Sequence, residues 1–314
     1  MLDAARCRRI IAASFPEIEI ETPRYFAEGW DYELWEIEGG LLFRFPKRAE
    51  TADPLRREAR LLARLAGVLS VPIPRPLYVS EGNRQFPQPF FGYAKLPGTP
   101  LEDVPPSKAS RTPLVKALAD FLEELHGVPP ATAAAWGVPC YTADAWREWY
   151  RGFRETVRRG VLHRLSNAEQ AAVESFWRGF LDNDRHFRFE PVLIHADLSP
   201  EHILVDGAGE QITGIIDFDD AMVGDPALDI TGFDDALQAM LVDTCAGALD
   251  DTAIARTHYY RKFSAFHSAL YGLRIGDRAR VDTALERIRR EIVLGDQAER
   301  AASPVDGPDR RSLR

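Results

Sequence analysis

The chain has 314 residues, 45% of them hydrophobic and 28% charged, with a formal net charge of −9 and a pI near 5.4. This length exceeds what one small core carries and predicts two lobes. The acidic balance argues against a nucleic-acid binder, which carries a basic patch, and is compatible with a cationic substrate. Cys7, Cys140 and Cys245 are scattered and form no CxxC pair, so no disulfide framework or zinc site is expected, only buried, inert thiols. The first residues carry charges within their apolar stretch, unlike a secretory signal, and no run of about 18 apolar residues occurs. A cytoplasmic, monomeric protein without membrane or nucleic-acid partners is expected.

In chain order, residues 1–15 predict a short amphipathic helix and 23–46 two or three strands. Alternation over Tyr32–Ile37, then Gly39-Gly40, then Leu41–Phe45 marks a hairpin. Residues 54–65 predict a helix with Pro54 near its start. Strands are expected at 76–80 and 90–96, and Leu96-Pro97-Gly98-Thr99-Pro100 breaks the chain at a lobe junction. Helical spacing then dominates over 108–126, 143–159, 167–182, 227–247, 251–273 and 277–296, interrupted by strands at 191–195, 202–205 and 212–217. The polar tail 298–314 is expected to be disordered. The boundaries read 1–97 for a β-rich lobe and 98–297 for a helical one.

Chemistry concentrates in Val192-Leu193-Ile194-His195-Ala196-Asp197-Leu198-Ser199-Pro200-Glu201-His202-Ile203-Leu204-Val205 and in Ile212-Thr213-Gly214-Ile215-Ile216-Asp217-Phe218-Asp219-Asp220. Apolar strands flank a polar loop holding one acid, and a second hairpin presents another at its end. Phosphoryl transfer needs such parts: a carboxylate near the attacking hydroxyl and separate ligands for magnesium. A plain hairpin with turn acids explains one Asp, and explains the whole constellation poorly.

This pair of motifs resembles the aminoglycoside phosphotransferase and choline kinase family, over roughly residues 20–245. The resemblance implies an α+β, bilobal protein-kinase-like fold with a small antiparallel β-rich N-lobe and a larger, mainly helical C-lobe. It implies a kinase that uses Mg2+ and ATP or GTP. By position, Asp197 resembles the catalytic base, Asp217 the magnesium-binding acid and His195 the His that braces the loop. His202 stands where the family usually has an Asn metal ligand. This departure resembles the aminoglycoside 2″- and macrolide 2′-phosphotransferase subgroups. Glu28-Gly29-Trp30-Asp31 resembles the phosphate-covering loop, with Gly29 close to phosphate. Arg44 replaces the usual phosphate-binding Lys, with Lys47 three residues on, and Glu58 resembles its helix partner. Ala94 and Leu96 fall on the family's hinge, where main-chain groups hold the purine. Gly224-Asp225-Pro226-Ala227-Leu228-Asp229 resembles a structural segment, and His126 reads as a structural or surface residue.

The acceptor is less determined. A polycationic aminoglycoside wants carboxylates near the loop, which Glu201, Asp219, Asp220, Asp234 and Asp235 could supply, with Ser199 bonding a sugar. A macrolide would need apolar lining, for which Phe233, Met240, Tyr259, Tyr260, Phe263 and Phe266 are available unless they form core. A metabolic small-alcohol kinase and a nucleotide-binding pseudokinase are the remaining alternatives.

Overall fold

The computed structural model describes residues 2–104, 106–107, 110–245 and 249–294; the tail 298–314 lies outside them. These residues divide into two compact units, the first of Met1–Ala143 and Phe189–Asp251, the second of Asp144–Arg188 and the chain from Thr252 on.

The first unit opens with α1 (Ala4–Ser14) and the strands β1 (Arg24–Glu28), β2 (Tyr32–Ile37) and β3 (Leu41–Pro46). The hairpin between β2 and β3 turns through Gly39 and Gly40, whose φ angles of +81° and +72° few side-chain-bearing residues adopt. With β4 (Pro76–Ser80) and β5 (Phe90–Ala94) they form an antiparallel sheet ordered β1-β2-β3-β5-β4. Strand alternation sorts the two faces. Phe43, Phe45, Trp35, Ile37 and Phe90 pack with Cys7, Ile10 and Ile11 of α1. The side chains between them on β3, Leu42 and Arg44, point to the opposite face, where α2 (Ala52–Leu65) presents the buried Glu58.

The same unit continues through β6 (Thr99–Pro100), α3 (Arg111–His126) and α4 (Pro130–Ala135). It resumes with β7 (Val192–Ile194), β8 (Ile203–Val205), β9 (Ile212–Ile215), β10 (Met222–Gly224) and α7 (Asp235–Thr244). Strand β7 pairs with β10, and β8 pairs with both β6 and β9. The second unit holds α5 (Ala143–Gly160), α6 (Asn167–Leu181), α8 (Ala253–Ile275) and α9 (Arg278–Ile288), the last running into a π turn over Arg289–Val293. Its core is aromatic: Trp177 stacks on Phe263 at 4.4 Å, and Trp146 Nε1 donates to the Tyr260 hydroxyl at 2.9 Å.

Two expectations are corrected. The helix read over 227–247 is a 3-10 turn, Pro226–Ile230, followed by α7, with 246 and 247 outside the described residues. Gly232 lies at the break, where the Leu198 carbonyl approaches so closely that a Cβ would overlap it, and Asp234 then caps α7 by accepting from Leu237 N–H at 2.8 Å. Cys140 is exposed and Cys245 half-buried, so only Cys7 is the buried thiol expected. Of the aromatic residues weighed as acceptor lining or core, Tyr260, Phe263 and Phe266 are core residues of the second unit.

Gly98 has a φ of +119°, and a Cβ there would overlap Thr213 Oγ1 and lie 2.7 Å from the Val205 carbonyl. Gly98→Ala is expected to cost at least about 1 kcal/mol, read as a lowered urea midpoint. Gly207→Ala, where a Cβ meets nothing within 4 Å, should leave the midpoint unchanged.

Candidate active site

The loop from His195 to His202 leaves β7 and enters β8. Its first turn is irregular, since Ala196 has a φ of +69°, sparsely populated for a residue with a Cβ. The fully buried Asp229 holds it there. Asp229 Oδ2 accepts from His195 N–H at 3.0 Å and Oδ1 from Ala196 N–H at 2.8 Å. His126 Nε2 lies 3.0 Å from Oδ2. The segment expected to be structural therefore sets the His195–His202 loop itself, and His126 is structural. The signal was present in the second Asp of Gly224–Asp229; the partner was not.

His195 is also fully buried and joins two loops. Its Nδ1 accepts from Asp197 N–H at 3.3 Å, and its Nε2–H donates to the Ile216 carbonyl at 3.0 Å. Each ring nitrogen thus has a role that suits a neutral ring. Burial pushes its pKa down to about 4, against the attraction of Asp229. One imidazole fixes the backbone at Asp197 and immediately before Asp217, where Asp217 itself takes a φ of +69°.

His202 stands between the two acids. Its Nδ1–H donates to the Asp197 carbonyl at 2.8 Å and lies 3.5 Å from Asp197 Oδ2. Its Nε2 faces Asp217 Oδ2 at 3.6 Å. Burial opposes charge on this ring, but Asp217 and Asp197 together outweigh it and raise the pKa. Burial also raises the Asp197 carboxyl; His202 opposes, while Asp220, Asp217 and Glu201 reinforce. The Asp197 side chain remains 52% exposed, open to an incoming group.

On β3, Arg44 is almost wholly buried. Its Nη1 donates to Glu58 Oε1 at 2.9 Å and its Nη2 to Asp217 Oδ1 at 2.6 Å, with Asp219 Oδ2 at 3.5 Å. The Tyr32 ring lies 4.1 Å below the guanidinium. Burial would raise Asp217, but Arg44 and His202 hold it well below the usual carboxylate range. Burial, opposed by Arg44 and reinforced by Asp217, pushes Asp219 up to about 9. Asp219 thus belongs to the Arg44 cluster. Lys47 lies beyond β3 and instead donates to the Gly29 carbonyl at 2.7 Å and pairs with Glu28.

The other sequence-selected residues fall around this centre. Gly29 donates its own N–H to Tyr32 O at 3.0 Å, and a side chain at Gly29 would meet nothing within 4 Å, so the loop there is open. Arg48 holds the same loop through the Trp30 carbonyl and an ion pair with Asp31. Leu41 opposes Ala94, and Lys95 N–H donates to Gly40 O at 2.7 Å. Alternation therefore turns the Ala94 main-chain groups away from β3, past the end of β4, which pairs only as far as Pro76 with Tyr93. Leu96 fills the space left by Gly214. Ser199 Oγ lies 3.4 Å from Glu201 Oε1 and 3.5 Å from His202 Nδ1. Asp220, Asp234 and Asp235 are exposed, and Gly232, beside the last two, packs on Leu198 and Ser199.

The donor set suits a magnesium ion. With Nδ1–H committed to a carbonyl, the neutral ring of His202 would turn its Nε2 lone pair toward Asp217 Oδ2, and Mg2+, which displaces a proton there, takes one or two protein ligands and completes its shell with phosphates and water.

His195 gives a pH test. A His pKa held near 4 when folded and near 6.5 when unfolded adds stability above pH 6.5 that is lost as pH falls toward 4. The stability gap between wild type and His195→Asn should narrow by about 2 kcal/mol between pH 7 and pH 5, measured by urea unfolding. A gap that failed to narrow would mean that the folded protein does not depress the His195 pKa, and a gap that widened would mean that the folded ring is protonated.

Residues 22–269 match the model of the APH phosphotransferase enzyme family. Viomycin phosphotransferase of Streptomyces vinaceus is 28% identical over 255 residues, covering 78% of this chain and 85% of that protein. The uncharacterized protein YcbJ of Bacillus subtilis is 27% identical over 202 residues, 60% of each chain. Among solved structures, the GDP and kanamycin complex of APH(2")-IIIa superposes with a TM-score of 0.83 at 29% identity, over 93% of this chain and 98% of that one. With the kinase-like architecture and the family match spanning most of its length, this chain belongs to the APH phosphotransferase enzyme family.

Proposed function

We propose that the protein moves the γ-phosphoryl group of ATP or GTP to a hydroxyl of a small molecule, an aminoglycoside by preference, as a cytoplasmic monomer. The carrying observation is that Asp197 and Asp217, from separate loops, stand 3.5 and 3.6 Å from opposite nitrogens of the His202 ring. This provides one carboxylate for the hydroxyl and another for the metal, as the transfer requires.

Asp197 orients the acceptor hydroxyl and takes its proton as oxygen bonds to phosphorus and the nucleoside diphosphate leaves. Asp217 and His202 hold Mg2+, which neutralises phosphate charge when bound. Arg44, backed by Glu58, steadies the phosphates, and the loop at Gly29 covers them. The main chain at Ala94 and Leu96 meets the base. Residues 1–97 act as the nucleotide lobe and 98–297 as the catalytic and acceptor lobe. Ser199, Glu201, Asp220, Asp234 and Asp235 are the acceptor contacts, where acids match ammonium groups. The kanamycin complex of a 29% identical structure supports this class.

Asp197→Asn is expected to lower kcat about 10²–10⁴-fold while nucleotide affinity stays within a few-fold. Near-normal turnover would end the assignment. Product analysis with aminoglycosides, macrolides and choline-like alcohols, each with ATP and GTP, identifies the acceptor; phosphorylation of a macrolide or simple alcohol alone would overturn the aminoglycoside preference.

A further inference from the structure

Arg44 does more here than replace a lysine. A lysine offers one ammonium on a shorter reach, whereas the guanidinium is a planar fork that serves two anions at once. Both prongs are in use: Nη1 is on Glu58 at 2.9 Å and Nη2 is on Asp217 at 2.6 Å. The remaining nitrogen, Nε, is buried without a hydrogen-bond partner among the described residues, so the fork is oriented by its two ends alone. The short contact falls on Oδ1 of the very carboxylate whose Oδ2 faces His202.

We infer that Arg44 is a built-in competitor for the metal carboxylate, so that the divalent cation gains Asp217 fully only when a nucleotide phosphate draws Nη2 away. The inference rests on reading Asp217 as a metal ligand. Nη2 and a divalent cation both neutralise the same carboxylate, and each weakens the other's hold on it. Nη1 can keep Glu58 throughout, which makes the exchange a swing of one prong rather than release of a buried cation. Asp219 Oδ2, 3.5 Å from Nη2, lies beside that swing. A phosphate offers Nη2 a strong alternative anion. Metal affinity is thereby kept low in the empty enzyme and rises with the donor, a coupling that must be reciprocal.

Mn2+ binding to the full-length protein, followed by electron paramagnetic resonance with and without GDP, tests this. Arg44→Lys, which can reach Glu58 but not both acids, should bind Mn2+ in the absence of nucleotide at least about tenfold more tightly than wild type. Arg44→Gln should do the same, so that if melting curves show one variant unfolded the other decides. Asp217→Asn separates the two ideas. If it retains Mn2+ binding in the presence of GDP, the metal assignment fails and the inference falls with it. If it loses that binding, yet the folded position-44 variants take up Mn2+ no better than wild type without nucleotide, the competitor role alone is overturned.

Discussion

A neutral imidazole sealed from water holds the two working loops in register. His195 takes the N–H of Asp197 on one nitrogen and gives its proton to the carbonyl before Asp217 on the other. Protonation would turn the acceptor nitrogen into a donor aimed at another donor, so burial and hydrogen-bond pattern demand the same ring state. Asp229 completes the frame by clamping the two main-chain N–H groups that start the His195–His202 loop, which lets Ala196 keep a left-handed conformation. The exposed acid of the site, Asp197, is therefore positioned from beneath by groups that never meet solvent, while its side chain stays half exposed beside His202.

Above this frame the charges do not balance. Glu58, Asp217 and Asp219 crowd one guanidinium, and His202 sits between Asp217 and Asp197. The excess is relieved by a raised pKa at Asp219 and by the tendency of His202 toward its charged form. Such a cluster is poorly arranged for stability, since its carboxylates outnumber the cations beside them. It is well arranged to receive further positive charge, and this is the physical content of the family's chemistry in this chain.

Much of the fold was legible because the first sheet obeys a period of two and the long helices carry apolar stripes. Tyr32–Ile37 and the Gly39-Gly40 turn were readable for this reason. Residues 130–135 and 222–224 form elements too short to show a period, and the apolar run after 226 reads as one helix although it stops at Ile230 and restarts at the Asp234 cap. Cys140 carries no local mark of exposure. In the site, Asp197, Asp217, His195 and His202 stood out as a spaced pattern, while the clamp by Asp229 and the placement of Asp219 against Arg44 did not. Both are contacts between residues far apart in the chain.

The sequence by itself determined which functional groups exist and on which local faces they lie. Alternation put Arg44 on the face opposite Phe43 and Phe45, and apolar strands fixed the acids at loop ends. Only the tertiary structure decided which oxygen meets which nitrogen. Arg44 and Asp217 are 173 residues apart, and their 2.6 Å contact depends on β3 and the hairpin after β9 being folded into the same unit. Backbone periodicity carries information over a few residues, whereas an ion pair depends on side-chain position at the scale of an ångström.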